Sequence, residues 1–314
     1  MILIVSFEDN EHVEQVRQFF TVDSIVLDTS WFPASLGLEA RFNGGAEHFR
    51  LTTPGGQRVE LANIGAVWFR RARPLGLHSD LVDNTARLFA WSEANEALLG
   101  LWYSLGCFWM NRPTADEISQ RKVHQLQVAR GVGLTIPETL ITNVPAAALE
   151  FIHQHGLGKV VRKAFRNIAE APRTTLLVQE SDLMLIDAVK YAPVIFQRYV
   201  PATLDLRVTV VENEIFAAAI RSEPEHQTDY RLGLASASVF PYDLPCDIAT
   251  KLLNLMEKLD LNYGAIDLRV TPEGEHVFLE VNPAGEYLFI SRRTGQPIAA
   301  AIAASLQRHD QAAR

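Results

Sequence analysis

Residues 264–285 read GAIDLRVTPEGEHVFLEVNPAG, and this stretch decides the fold. Two largely apolar runs, Gly264–Val270 and His276–Val281, flank Thr271-Pro272-Glu273-Gly274, the pattern of an antiparallel hairpin. Strand side chains alternate, so Glu280 and Asn282 share one face, and a turn near Pro272–Glu275 brings Asp267 roughly opposite Glu280. Three hard oxygen donors thus converge among apolar strand residues. A buried carboxylate without a partner costs several kcal/mol, so Asp267 and Glu280 need either a cation or basic partners such as Arg269. Oxygen donors of this kind suit Mg²⁺, which keeps some waters and takes further ligands from phosphates. A nucleoside triphosphate is the expected co-ligand. The chain has neither G-x-x-x-x-G-K-[ST] nor G-x-G-x-x-G, so lysines and arginines on strands would have to hold the phosphates.

Outward from the hairpin, Leu206–Val211 and Ile215–Ile220 form a second hairpin around Glu212-Asn213-Glu214. Ile136–Thr142, Lys159–Phe165 and Val194–Val200 read as strands. Pro145–His155, Cys246–Leu259 and Gln296–Leu306 read as helices, and Ser181 as the cap of a short one. Thr114 and Glu117 have capping-box spacing ahead of a helix over Ala115–Arg130, which Gly131 and Gly133 stop. A domain boundary is expected at Asn111-Arg112-Pro113. Before it, Met1–Phe7, Glu11–Phe20 and Ser24–Asp28 alternate strand, helix, strand, which implies a parallel sheet. Glycines and prolines break residues 28–58 into turns and short strands. Ile64–Arg70 is a buried strand, and His78–Met110 one long helix or two broken near Gly100.

The length, 314 residues, allows two domains. With 29 Lys+Arg against 37 Asp+Glu the net charge is −8, which opposes binding to nucleic acid and anionic membranes. No apolar run is long enough for a membrane helix and no signal peptide is evident, so a cytoplasmic protein is expected. Cys107 and Cys246 are too few for a disulfide framework or zinc knuckle and read as plain buried thiols. The histidines are scattered, and only His226, five residues before Arg231, stands where it could serve as a base or substrate contact.

From about Asn111 to Leu306 the ordered segments QRKVHQLQVARGVGLTIPET, GKVVRKAF, IFQRYVPATLDLRVTVVENEIFAAAIRSE, TDYRLG, GAIDLRV and FLEVNPAG resemble an ATP-grasp carboxylate ligase. The nearest branch is that of the graspetide synthetases, the microviridin-type peptide macrocyclases. Their N-terminal region is also similar to Met1–Pro74, with its IVSFEDNE and WFRRARP segments. The resemblance implies an α/β and α+β architecture: an N-terminal pre-ATP-grasp domain over residues 1–110, then a two-lobed ATP-grasp fold over 111–314, its central lobe reaching about residue 195. It implies ATP, with Mg²⁺ as two ions or Mn²⁺ in their place, and a ribosomal precursor peptide with leader and core as partner. It allows a homodimer.

Carried over by position, Asp267, Glu280 and Asn282 match metal ligands, and Lys122 and Lys163 match phosphate contacts. Arg198 and Tyr199 fall where backbone pairs with adenine. Asp205 lies near the nucleotide, Arg207 faces the phosphates and the reacting carboxylate, and Arg221 and Arg231 add charge at the same mouth. Arg207 and Arg221 are thereby the expected catalytic residues. The segment AFRNIAEAPRTT lacks the glycines of the usual phosphate-covering loop, leaving Arg166 or Arg173 as substitutes. Arg70 and Arg71 either anchor a peptide carboxylate or hold the N-terminal domain against the rest, and the second is expected. The implied reaction makes an acyl phosphate from a substrate carboxylate, which a hydroxyl or amine attacks. The alternatives are an amino-acid ligase and a nucleotide-sensing peptide binder without turnover.

Overall fold

The computed structural model describes residues 1–165 and 175–313. The N-terminal region runs β1 (Ile2–Val5), α1 (Glu11–Arg17), β2 (Ser24–Leu27), β3 (Gly37–Asn43), β4 (Ala46–Thr52), β5 (Arg58–Glu60), β6 (Ala66–Phe69), α2 (Asn84–Ser104) and β7 (Phe108–Met110). The expected parallel sheet is present, in the order β2-β1-β6-β7. The turn-rich segment folds into a separate antiparallel sheet, β3-β4-β5. Helix α2 is single and runs through Gly100. It starts on Asp83, whose side chain caps the Ala86 N–H at 2.8 Å, and its C-terminal half packs Leu98, Leu101 and Trp102 on one face of the parallel sheet.

The central lobe comprises α3 (Pro113–Ser119), α4 (Lys122–Gly131), β8 (Thr139–Thr142), α5 (Pro145–His155), β9 (Val160–Lys163), β10 (Leu176–Leu177), α6 (Glu180–Leu183) and β11 (Val194–Arg198). Its antiparallel sheet has the order β10-β9-β11-β8. The helix expected over 115–130 is broken at Gln120 and Arg121, and its start is the Arg112–Pro113 step rather than a Thr114 capping box. A proline at the first helical position needs no N–H partner and presets φ, which removes the need for a side-chain cap. Likewise Gln179, not Ser181, caps α6.

The C-terminal lobe adds β12 (Leu204–Val211), β13 (Glu214–Arg221), β14 (Ser238–Pro241), α7 (Cys246–Lys258), β15 (Tyr263–Val270), β16 (His276–Asn282), α8 (Leu288–Thr294) and α9 (Ile298–Ala312). Its five-stranded antiparallel sheet is ordered β14-β13-β12-β15-β16. Leu252, Leu255 and Met256 of α7 cover one face with Leu206, Val208, Ile266 and Leu268. Helix α9 crosses back to the N-terminal sheet, where Ile302 and Leu306 share a core with Ile2, Ile4 and Trp68. Among the described residues no helix is long and apolar enough to cross a membrane. Cys107 is half-buried and Cys246, at the start of α7, is exposed, which corrects the expectation of two buried thiols.

Candidate active site

The two antiparallel sheets of the central and C-terminal lobes face each other across a cavity of about 330 Å³. Lys122, Lys163, Arg198, Tyr199, Asp205, Arg231, Asp267, Glu280 and Asn282 all line it. Strand register explains how residues so far apart in the chain meet. Across β12 and β15, Arg207 pairs with Asp267 and Asp205 with Arg269, so each acid lies opposite a base. Arg207 Nη1 donates to both Asp267 oxygens, at 2.9 and 3.0 Å, and Arg269 Nε donates to Asp205 at 2.9 Å.

The β15–β16 hairpin contains one irregularity on which the site depends. Counting from Val270 opposite His276, regular pairing continues to Leu268 opposite Phe278, then shifts so that Asp267 faces Glu280. Leu279 is the extra residue of a β-bulge. Without it Glu280 would pair with Ile266 and point into the apolar core, since one step of register exchanges the two faces. With it, Phe278 enters the core and Glu280 enters the cavity.

Helix α4 supplies the counter-charge. Gln125 donates to Val281 O at 2.7 Å and accepts from Val281 N–H at 3.2 Å, sealing the edge of β16. One turn earlier, Lys122 Nζ donates to Glu280 at 2.6 Å. Burial raises the Glu280 pKa, but the charge and hydrogen bond of Lys122, with Lys163 and Arg231 behind them, outweigh it and hold the carboxyl below its ordinary range. On the opposite wall Lys163 Nζ donates to Gln197 at 2.8 Å, and Gln197 in turn donates to Thr139 at 2.9 Å. Burial pushes Lys163 down to about 8, opposed by Glu280. At the rim Asp229 accepts from Arg231 Nε at 2.7 Å, and Tyr230 donates its hydroxyl to Asp267 at 3.2 Å.

Several expectations are corrected. Arg221 does not reach the cavity. Arg207 pairs with Ala218, and Arg221 is three residues further along β13, so it emerges on the α7 face and lies 5.5 Å from the Phe240 ring. Arg207 is on the correct face but does not line the cavity. Its guanidinium is fixed between Asp267 and the Glu286 carbonyl, 3.2 Å away. His226 also stays out, its ring packed on Gly233 so closely that a Cβ there would collide with it. Arg198 and Tyr199 do line the cavity, and their N–H groups donate to Glu138 O and Lys159 O, each at 2.8 Å. Arg166 and Arg173 lie outside the described residues. Gln197, Gln125 and Tyr230 were not anticipated. Gln197 and Tyr230 stand next to singled-out residues in FQRY and TDYR, whereas nothing local marks Gln125.

Among the described residues no three His, Cys, Asp or Glu side chains form a metal-binding group by themselves. The oxygen set here is two carboxylates and one amide.

Comparison with known proteins places this architecture. A family described as RimK-like ATP-grasp domain matches residues 119–306. The chain belongs to the ATP-grasp family. A second description, MvdD pre-ATP grasp domain, matches residues 1–117 of the same ATP-grasp protein. Among solved structures, macrocyclase MdnC bound with precursor peptide MdnA, from Microcystis aeruginosa MRC, is 34% identical with a TM-score of 0.86, over 97% of this chain and 98% of that one. A Chryseobacterium gregarium RiPP-associated ATP-grasp ligase in complex with ADP and a leader and core peptide is 29% identical, with a TM-score of 0.88 over 98% and 96% of the two chains. Macrocyclase MdnB from the same Microcystis strain is 33% identical, with a TM-score of 0.82 over 97% and 98%. No curated protein matched. The chain is thus an ATP-dependent ligase of the graspetide-synthetase type, which implies ATP and a divalent cation.

Proposed function

We propose that the enzyme activates a side-chain carboxylate of a ribosomal precursor peptide as an acyl phosphate and closes it onto a hydroxyl or amine of the same peptide, giving an ester or amide ring. The observation that carries this reading is the pair of acids lining an ATP-grasp cleft, Asp267 held by Arg207 behind it and Glu280 held by Lys122. The macrocyclase bound with a precursor peptide and the ligase holding ADP with leader and core support it.

Asp267, Glu280 and Asn282 bring two carboxylates and an amide oxygen to one cavity, which fits hard divalent ions. Two Mg²⁺ ions are proposed there, with Mn²⁺ able to replace them. Such ions supply charge neutralisation for the transferring phosphoryl group. Lys122 leaves Glu280 and turns its ammonium to the nucleotide phosphates. Lys163, oriented by Gln197, holds them from the opposite sheet, and Arg231 adds charge at the rim. Arg198 and Tyr199 border the base. Asp205 keeps Arg269 in place beside Tyr199, whose ring lies 5.3 Å from the guanidinium. Arg207 acts as a positioning residue for Asp267. These groups orient and stabilise charge, so no covalent nucleophile on the protein is needed.

Residues 1–110 are proposed to help recognise the leader, raising the local concentration of the core at the cleft. The test is co-expression with a short acidic, Thr/Ser-rich peptide encoded beside the enzyme, followed by mass spectrometry and ADP release. Loss of one water per ring, dependent on ATP, is expected. An unchanged mass with active enzyme, or a gain of one residue's mass, overturns macrocyclisation in favour of a binder or an amino-acid ligase.

A further inference from the structure

Four consecutive carbonyls, those of Pro283, Ala284, Gly285 and Glu286, follow the end of β16, and each accepts a hydrogen bond from a side chain on a different part of the chain. Asn111 Nδ2 donates to Pro283 O at 3.1 Å, Arg70 Nη1 to Ala284 O, Tyr263 hydroxyl to Gly285 O at 2.7 Å, and Arg207 Nη2 to Glu286 O at 3.2 Å. Buried backbone groups are normally satisfied within secondary structure. A loop held carbonyl by carbonyl by side chains is fixed in one conformation instead. It is also tightly enclosed, since a Cβ on Gly285 would collide with Ala265 Cβ and meet Arg207 Nη2 at 3.2 Å.

Ala284 carries the important link. Its carbonyl accepts from Arg70, and its own N–H donates to Asn282 Oδ1 at 3.0 Å. Arg70 is 1% exposed, and its Nε and Nη2 are buried without a partner. Burial lowers its pKa from the ordinary arginine value. A buried guanidinium with unmet donors is destabilising compared with an apolar residue of similar size. Stability alone therefore does not account for arginine here, whereas orientation of the loop does.

We infer that Arg70, from the N-terminal domain, is a positioning residue for the cleft: through Ala284 it sets the side-chain orientation of Asn282. The inference rests on the proposed role of Asn282 in holding the divalent ion. Outer partners of metal ligands commonly change metal affinity by about 10–100-fold when removed. The pathway runs from β6 to the end of β16 through one residue, so the N-terminal domain contributes to ion binding as well as to packing.

The test uses the full-length protein with ADP and measures Mn²⁺ binding by electron paramagnetic resonance, with amide hydrogen exchange of residues 284–287 in the metal-free protein. Asn282→Ala establishes the underlying reading: if it leaves Mn²⁺ affinity unchanged, the metal assignment fails and this inference fails with it. If Asn282→Ala weakens Mn²⁺, Arg70→Met is expected to weaken it about tenfold and to speed exchange of the loop. Arg70→Lys, which keeps one donor, should recover most of the affinity, and Arg71→Met, which removes only the exposed pair with Glu286 at 2.9 Å, should not change it. Folded Arg70→Met with wild-type Mn²⁺ affinity overturns the inference alone. Should Arg70→Met fail to fold, Tyr263→Phe decides, because it deletes only the hydroxyl on Gly285 O. A loss of about threefold or more supports the loop's role, and unchanged affinity with unchanged exchange overturns it.

Discussion

The two faces of the five-stranded sheet come from the same strands and have opposite chemistry. On one, Leu206, Val208, Ile266, Leu268 and Phe278 close over α7. On the other, Asp205, Arg207, Asp267, Arg269 and Glu280 form a checkerboard of acids and bases. The difference teaches how one strand can carry both tasks. Residues at even steps bury apolar surface, and residues at odd steps hold one another's charges until a ligand competes for them. In β16 the two tasks collide, because Phe278 and Glu280 are two residues apart and would share a face in a regular strand. The bulge at Leu279 resolves the conflict.

The sharpest way to break this comparison is one change on each face. Glu280→Gln should lower ADP release by at least about 100-fold with only a small fall in melting temperature, since Lys122, left without its acid, is partly exposed. Leu268→Ala should do the reverse, costing about 2–5 kcal/mol of stability with turnover per folded molecule preserved. Denaturant melts alongside activity assays separate the two. Equal effects of both changes on both measurements would refute the division of labour. Asp267→Asn is a poorer probe, because it leaves Arg207 buried against a neutral partner.

Next in size, Lys163→Ala should weaken nucleotide binding about tenfold by titration, and Lys159→Ala, at an exposed position before β9, very little. Proton linkage sharpens this. Lys163 is charged below its pKa of about 8 and neutral above it. Phosphates favour the charged form, so nucleotide affinity should fall as pH rises through 8, and binding above that pH should take up a proton. Calorimetry in buffers of different ionisation enthalpy checks this, and buffer-independent heats at alkaline pH would argue against it. The smallest effect belongs to Arg221→Ala. With its side chain on the α7 face, turnover should change by less than about twofold. A large loss would mean that the face assignment of β13 is wrong.

Much of this was legible in the sequence, for reasons of scale. Alternation within one strand placed Glu280 with Asn282, and turn residues placed both hairpins, because those signals are local. The ordered motifs gave the ATP-grasp identity, and nine of the eleven singled-out site residues line one cavity. Arg221 was readable and misread: the turn at Glu212-Asn213 fixes Arg207 opposite Ala218, and counting three residues on gives the other face. The bulge was not readable, since no glycine or proline marks Leu279. Nor was the Lys122–Glu280 pair, whose partners are 158 residues apart. Helix α8 escaped because its apolar residues sit in a short stretch following a glycine, without a capping signal.

Helix α9 and strand β1 stand at opposite ends of the chain, yet Ile302 and Leu306 cover Ile2 and Ile4. On the ribosome the strand emerges long before its cover. At about 5–20 residues per second that gap lasts roughly 15–60 s. Throughout it one apolar side of the parallel sheet has no permanent neighbour, and the nascent chain is exposed to chaperones and to aggregation. Removal of the last fifteen residues would make that interval permanent, so a small C-terminal truncation should reduce yield far more than its size suggests, although it removes no residue of the cleft.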